Sequence, residues 1–159
     1  MQKTLSILLL AAATGATAQG VRTEKNMSLA LAQEAAAEAV SACLKNGYNV
    51  SATVVDRAGQ NRAQLRGDLA GPHTISTSQR KAYMSASTRG NTSATVENVL
   101  KNPASAGIGQ IEGFILLGGG MPIRSGNEVI GAIGVGGAPG GHLDDQCAQA
   151  GIDKIKDRL

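Results

Sequence analysis

The sequence predicts an α+β fold, in which helices cover both faces of a five-stranded antiparallel sheet. Two observations carry this prediction. Segments with alternating, β-branched residues are joined in pairs by short turns that contain glycine, and alanine-rich segments with helical spacing lie before and after them. The predicted order of elements is α-β-β-α-α-β-β-β-α. Strands joined by tight turns pair in antiparallel fashion, and amphipathic helices bury their apolar side against such a sheet.

The first half of the chain contains one helix and one hairpin. Residues 28–46 place small apolar side chains on one helical face, with Asn26 or Ser28 as the cap and Gly47 at the end. Residues 49–56 alternate and are β-branched, which predicts a strand. A turn over residues 56–59, built by Asp56 and Arg57, leads to a second strand over residues 61–66.

The second half contains three more strands and three helices. Helical spacing covers residues 75–87 and 92–101, and the pair Asn102-Pro103 ends the second of these helices. The apolar run over residues 111–117 predicts a central strand. A second hairpin joins residues 122–124 to residues 128–136, and residues 142–159 form a closing helix.

The first eighteen residues have the three parts of a secretory signal peptide. Lys3 is the positive charge, residues 5–13 are the short apolar core, and Ala16-Thr17-Ala18 is the cleavage site. We expect residues 19–159 to remain as a single domain in the periplasm or outside the cell. No second long apolar run follows, so we expect no membrane span.

Composition and motifs exclude several classes of function. The net charge is only +3, the basic residues are scattered, and two tyrosines and one phenylalanine are the only aromatic residues, so we expect no nucleic-acid partner. The chain lacks a G-x-S-x-G nucleophile motif, a C-x-x-C pair and a phosphate-binding loop. These absences argue against hydrolase, dithiol redox and nucleotide chemistry.

The two cysteines leave two interpretations open. Cys43 and Cys147 both fall in predicted helices, one near each end of the mature chain. In an oxidising compartment they form a disulfide that ties the two ends together. The alternative is a pair of separately buried thiols that act as small hydrophobic side chains.

Six short motifs, in order, resemble the GlcG/HbpS-like family, which is also called the haem-degrading domain family. The residues that carry the resemblance are Val54 to Gly59 (VVDRAG), Arg66 to Asp68 (RGD), Arg80 to Tyr83 (RKAY), Gly118 to Ile123 (GGGMPI), Ile130 to Gly137 (IGAIGVGG), and Asp145 with Ala148 to Gly151. They span nearly all of residues 19–159. Gly136 stands where many members of the family have serine.

The resemblance implies a profilin-like fold, with a five-stranded antiparallel sheet between helices, and it implies homo-oligomers. Some extracellular members of the family bind haem and are linked to its degradation or to redox sensing, and the related PduO C-terminal domain binds haem. GlcG itself accompanies proteins of glycolate use. The expected cofactor is therefore haem or a related tetrapyrrole.

Histidine is the side chain that most often ligates haem iron, so the two histidines are the first candidates for a metal site. His73 follows Gly71-Pro72 just before a predicted helix, and it is the predicted iron ligand. The alternative is a loop histidine that bonds to nearby backbone. His142 is either a second axial ligand, from a neighbouring subunit, or a solvent-facing residue at the start of the last helix.

Basic residues and glycines near His73 complete the predicted site. Arg66, Arg80 and Lys81 are positioned in sequence to hold the carboxylates of haem or of a small acid, or else to form a solvated helix face. Gly136 and Gly137 are the predicted backbone contacts of the ligand. Asp144 and Asp145 complement the dipole at the start of the last helix, and the alternative is a metal pair or acid–base catalysis.

Three hypotheses for function follow from these observations. The leading one is an exported, oligomeric protein that binds haem and degrades it weakly, through iron and oxygen chemistry with little help from side chains. The second is a binding protein or enzyme accessory for a hydroxy acid such as glycolate. The third is a structural or sensory adaptor without a ligand.

Overall fold

A computed structural model describes residues 20–159, so the predicted signal peptide lies outside the described residues. Four α-helices, four strands and two 3₁₀ segments make up this part of the chain. In order, they are α1 (Leu29–Lys45), β1 (Ser51–Asp56), β2 (Asn61–Arg66), α2 (His73–Thr88), α3 (Thr92–Lys101), a 3₁₀ segment (Pro103–Gln110), β3 (Gly120–Ser125), β4 (Glu128–Gly136), α4 (Gly141–Ile155) and a last 3₁₀ turn (Lys156–Arg158). The α+β class is confirmed.

The sheet has the strand order β2-β1-β4-β3, and each neighbouring pair is antiparallel. The two predicted hairpins are present as β1–β2 and β3–β4. The two hairpins meet through β1 and β4, where Ser51 pairs with Gly136 and Asp56 pairs with Gly131. All six residues of β1 therefore pair with β4, and this pairing joins the two hairpins.

The prediction of a fifth, central strand over residues 111–117 is wrong, since within residues 20–159 the sheet has four strands. Short-range bonds bend this segment, because the Phe114 amide donates to the Ile111 carbonyl over 3.0 Å and the Leu117 amide to the Ile115 carbonyl over 2.8 Å. The Phe114 ring is 94% buried and packs edge-on against Tyr83, with ring centres 6.1 Å apart. The apolar run is therefore explained by packing beside α2.

Apolar side chains fill the face of the sheet that α1 and α4 cover. Ala52 and Val54 of β1 belong to this core, and the alanines of α1 face them. A disulfide between Cys43 and Cys147 joins α1 to α4, with 5.4 Å between the two Cα atoms. The structure thus selects the disulfide from the two interpretations of the cysteines.

The other face of the sheet packs on α2 through small and hydroxyl-bearing side chains. The Ser51 hydroxyl bonds to that of Thr74 over 2.7 Å, and the Thr53 hydroxyl bonds to that of Ser78 over the same distance. A β-carbon on Gly134 would overlap the backbone of α2. Helix α2 therefore lies unusually close to β4. This close contact, in the middle of α2, positions the helix on the sheet.

The helix boundaries agree with the sequence, with two differences that affect the site. Helix α2 begins at His73 rather than residue 75, so His73 belongs to its first turn. Helix α4 begins at Gly141, one residue earlier than expected. Across residues 20–159, no helix combines the length and the apolar character needed to cross a membrane.

Candidate functional site

A pocket of about 240 Å³ lies where the first turns of α2 and α4 come together. The loop between β4 and α4, together with Leu117, completes it. Its lining consists of His73, Thr77, Lys81, Leu117, Gly137, Ala138, Pro139, Gly140, Gly141 and Asp144. We call this cavity the His73 pocket.

His73 is exposed at the edge of this pocket, with its ring folded back over Gly71. A β-carbon on Gly71 would lie 2.8 Å from Cε1 and 2.9 Å from Nδ1 of the imidazole, but 3.9 Å from Nε2. A side chain at residue 71 would displace the ring from this position. Within the described residues the imidazole makes no hydrogen bond, so Nε2 is available to a ligand.

A buried ion pair between Lys81 and Asp144 forms the floor of the pocket. Lys81 Nζ lies 2.7 Å from Asp144 Oδ2, and it also donates to the Val135 carbonyl over 2.9 Å. The side chains are only 2% and 4% exposed. The other oxygen of Asp144 accepts from the Ala138 amide over 3.1 Å. The pair thus joins α2, the end of β4, the following loop and α4.

Two opposing influences act on the carboxyl group of Asp144. Burial raises its pKa above the ordinary value for an aspartic acid, and the charge and hydrogen bond of Lys81 act in the opposite direction, as does the Ala138 amide. The short contact to the ammonium and the amide bond both favour the ionised carboxylate. We therefore treat the group at neutral pH as the anionic partner of Lys81.

Gly137 shapes the loop between β4 and α4. Its φ is +133°, a backbone conformation that side chains rarely adopt, and a β-carbon there would lie 2.6 Å from the Asn49 carbonyl oxygen. The loop therefore lies directly against the start of β1. This places the backbone of residues 137–141 along one wall of the pocket.

The structure brings together three of the five predicted ligand contacts. His73, Lys81 and Gly137 line the pocket, although the ammonium of Lys81 is already engaged by Asp144. Arg66 and Gly136 do not line it. The Arg66 guanidinium donates to the Ala70 carbonyl over 2.7 Å, and Gly136 is buried against Thr77.

The other candidates lie outside the His73 pocket. Arg80 donates to the Phe114 carbonyl, and the exposed His142 folds its ring over Gly140 in the same way that His73 folds over Gly71. Asp145 accepts from the Gly119 amide over 2.8 Å and from the Ser93 hydroxyl. Asp145 therefore secures the turn before β3.

The role of Asp144 is the feature that the sequence analysis missed. Its position in the first turn of α4 predicted an acid that complements the helix dipole, and the structure shows in addition that it is 3% exposed and holds Lys81. Sixty-three residues separate the two partners in sequence. One signal in the sequence could have indicated that Lys81 is buried. Helical spacing puts it on the same face of α2 as Ser78, and that face packs on β1.

The donor groups of the described residues can be compared with what a bare metal ion and a haem iron each need. In residues 20–159, no three histidine, cysteine, aspartate or glutamate side chains are grouped closely enough to hold a bare metal ion. One exposed imidazole beside an apolar side chain, Leu117, suits an iron that already has four ligands of its own. The chemistry of the pocket thus fits a haem iron better than a free cation.

These features define a class of protein: an α+β domain with a central antiparallel sheet, helices on both faces and a small pocket at the start of two helices. Residues 27–153 match the family described as "Haem degrading protein HbpS-like". The chain belongs to this HbpS-like family. No curated protein shows significant similarity to the chain.

Solved structures agree with this assignment. A double mutant of HbpS from Streptomyces reticuli is 35% identical, with a TM-score of 0.79, and the match covers 94% of this chain and 97% of that one. The Klebsiella pneumoniae protein ORFY is 27% identical, with a TM-score of 0.81, and the match covers 88% and 97% of the two chains. A PduOC:heme complex is 19% identical, covers 82% and 95%, and has a TM-score of 0.72, which shows a shared fold.

Proposed function

We propose that this protein binds haem or a related tetrapyrrole, with His73 as the iron ligand. The observation that carries the proposal is the exposed His73 imidazole, which stands at a pocket edge with Nε2 turned away from Gly71. The family description, "Haem degrading protein HbpS-like", supports haem as the ligand. Bound haem would supply iron and oxygen chemistry for weak degradation, while the chain's own residues bind and orient the group.

The dimensions of the pocket indicate how a tetrapyrrole would bind. Its volume of about 240 Å³ lies below the range of about 300–1,000 Å³ that is usual for pockets enclosing small molecules. The pocket therefore accepts one edge of the macrocycle, and Leu117 offers an apolar contact for it. The remainder of the ring needs a second surface, and the homo-oligomer that we propose would provide it from a neighbouring subunit.

The disulfide supports the proposal that the protein is exported. Disulfides persist in oxidising compartments and are rare in the reducing cytosol. The bond between Cys43 and Cys147 is buried in the core, where it links two elements that are 104 residues apart. Together with the signal-like residues 1–18, it favours the periplasm or the extracellular space. Mass spectrometry of the protein expressed with its leader tests this, because cleavage leaves a chain that begins at Gln19.

The hydroxy-acid alternative is not favoured by any specific contact. It relied on Lys81 and Arg66 to hold a carboxylate, but Lys81 is neutralised by Asp144 and Arg66 is bound to a backbone carbonyl. No described contact gives the small acid a second, independent anchor. We therefore retain haem as the proposed ligand.

A hemin titration tests the proposed ligand and its axial residue. We expect a saturable shift of the Soret band with the wild-type protein, and we expect its loss or displacement in His73→Ala. The matched control is His142→Ala, because His142 has the same geometry over Gly140 but does not line the pocket.

Three results would count against the proposal. A wild-type protein without a saturable shift at micromolar concentration would refute haem binding. A His73→Ala spectrum identical to wild type would exclude His73 as the ligand. Light scattering that gives a monomer in the presence of hemin would contradict the second surface supplied by a neighbouring subunit.

A further inference from the structure

A second pocket lies at the opposite end of α2 from His73. Its volume is about 370 Å³, which is within the usual range for small-molecule sites. It lies beside the last turn of α2 and the β1–β2 turn. Its lining residues include Arg22, Glu24, Asn26, Arg57, Ser87 and Arg89. We call it the arginine pocket.

Two of its three arginines are already neutralised. Arg22 lies 2.6 Å from Glu24, and Arg57 contacts Glu24 at 3.3 Å and Glu128 at 2.9 Å. Arg89 differs, because among residues 20–159 its guanidinium has no ion pair and no hydrogen bond. The positive charge of Arg89 is therefore the one that the pocket leaves unbalanced.

The backbone of Arg89 is an independent sign that its side chain matters. Arg89 ends α2 with a φ of 56°, and it is the one non-glycine residue with positive φ in the described part of the chain. Glycine is the usual residue at this position of a helix end, since it adopts the conformation without strain. The next residue is a glycine, Gly90, but the positive φ falls on Arg89. Residues held in such conformations cluster at functional sites, so this outlier points to Arg89 as a candidate.

Asn26 adds a neutral hydrogen-bond donor to the pocket. Asn26 Oδ1 accepts from the amides of Met27 and Arg57, at 2.9 and 3.0 Å, which leaves the side-chain N–H groups of Asn26 for a ligand. Arg124 donates to the Arg89 carbonyl over 2.8 Å and so holds the strained turn in place. An amide donor held by its own oxygen, beside an unbalanced guanidinium, forms a site that suits an anion.

We infer that the arginine pocket binds a small oxyanion, the phosphate or carboxylate group of a small molecule. Arg89 supplies the charge and a planar, two-pronged donor that matches the oxygens of either group. Asn26 adds a neutral donor, and the ion pairs of Glu24 keep Arg22 and Arg57 in position. This site is separate from the His73 pocket and does not depend on haem.

Calorimetry at low ionic strength tests the site with three probes: inorganic phosphate, pyrophosphate and citrate. We expect saturable binding of at least one, and the preference between the phosphates and citrate identifies the source of the oxyanion. Arg89→Gly is the informative variant, because it removes the guanidinium and relieves the backbone. We expect a loss of affinity of about tenfold or more, as for a charge-assisted hydrogen bond, with a melting temperature no lower than that of wild type.

The control is Arg158→Ala, which removes one exposed positive charge that pairs with Glu34 and does not line the pocket. We expect it to keep the wild-type affinity. The inference is overturned if wild type binds none of the three anions, if Arg89→Gly binds as tightly as wild type, or if Arg158→Ala loses as much affinity. We expect Arg89→Gly to bind hemin as wild type does. A loss of anion binding in this variant is then distinguishable from a loss of haem binding.

Discussion

The two faces of the sheet are stabilised in different ways. The face that carries α1 and α4 is apolar, with alanine, valine and isoleucine side chains and a disulfide across the two helices. The face that carries α2 has a small apolar cluster of four residues, supplemented by paired hydroxyls and a buried ion pair. The first face holds the domain together, whereas the second sets the position of α2.

This difference explains why both candidate sites lie at α2. A helix that is held by directional bonds and close backbone contact has little freedom to slide or rotate. The His73 pocket uses its first turn and the arginine pocket uses its last. Polar groups are buried on that side of the sheet. Removing the partner of a buried polar group lowers stability more than removing an exposed contact does.

The largest effect is expected from separating the buried ion pair. Asp144→Asn leaves the Lys81 ammonium buried without its counter-charge, and such a loss destabilises proteins by about 3–5 kcal/mol. We expect urea unfolding to show a decrease of that size. The double variant Lys81→Met/Asp144→Leu removes both charges and should lose less than the single variant.

The matched control for this experiment is the exposed pair of Glu97 and Lys101 on α3. Lys101→Ala should leave the unfolding midpoint nearly unchanged, because exposed pairs contribute little. If Asp144→Asn is as stable as wild type, the α2 face does not depend on the ion pair and the proposed contrast between the two faces fails.

The next effect concerns the disulfide on the other face. Replacing both cysteines, Cys43→Ala with Cys147→Ala, should reduce stability by about 2–4 kcal/mol, because the bridge closes a long loop and restricts the unfolded chain. Chemical unfolding with and without reductant measures it. Reductant should destabilise the wild type and leave the double variant unchanged.

Two outcomes of the disulfide experiment carry different information. If the wild type has the same free energy of unfolding with and without reductant, the bridge does not contribute to stability. A double variant that keeps the hemin and anion binding of wild type would show that the α1/α4 face supports stability without shaping either pocket.

Local patterns allowed most of the fold to be predicted, because hairpins and helices are encoded by neighbouring residues. The β1–β2 hairpin follows from the turn at Gly59, and α1 follows from its alanine spacing. The run over residues 111–117 misled because an apolar segment fits a buried strand or a packed loop equally well. The burial of Phe114 against Tyr83 depends on α2, which local sequence does not place.

The site was less predictable, for a related reason. His73 was proposed from its chemistry, since an imidazole just before a helix needs no distant partner to be a candidate ligand, and its role stays a prediction. The pairing of Lys81 with Asp144 depends on how far α2 approaches β4, and that distance is set by Gly134. The strained φ of Arg89 is likewise a property of the folded backbone, so the arginine pocket has no signature in the sequence alone.

The smallest effect concerns the surface pair of Glu34 and Arg158, which joins α1 to the last turn of the chain through two hydrogen bonds of 3.0 and 2.6 Å. The hydrogen bond from Arg158 lowers the pKa of Glu34, with its positive charge as a further cause and burial acting in the opposite direction. A lowered pKa in the folded state means that the pair stabilises the protein above the usual glutamate pKa of about 4.3 and loses this effect as the pH falls further.

Arg158→Ala should therefore melt slightly below wild type at pH 7, and the melting temperatures of the two proteins should converge at the acid end of a pH series. A difference that persists after Glu34 is protonated would show that Arg158 acts through packing. The α1/α4 face would then be stabilised by its apolar contacts and its disulfide, and the ion pair of Glu34 and Arg158 would not contribute.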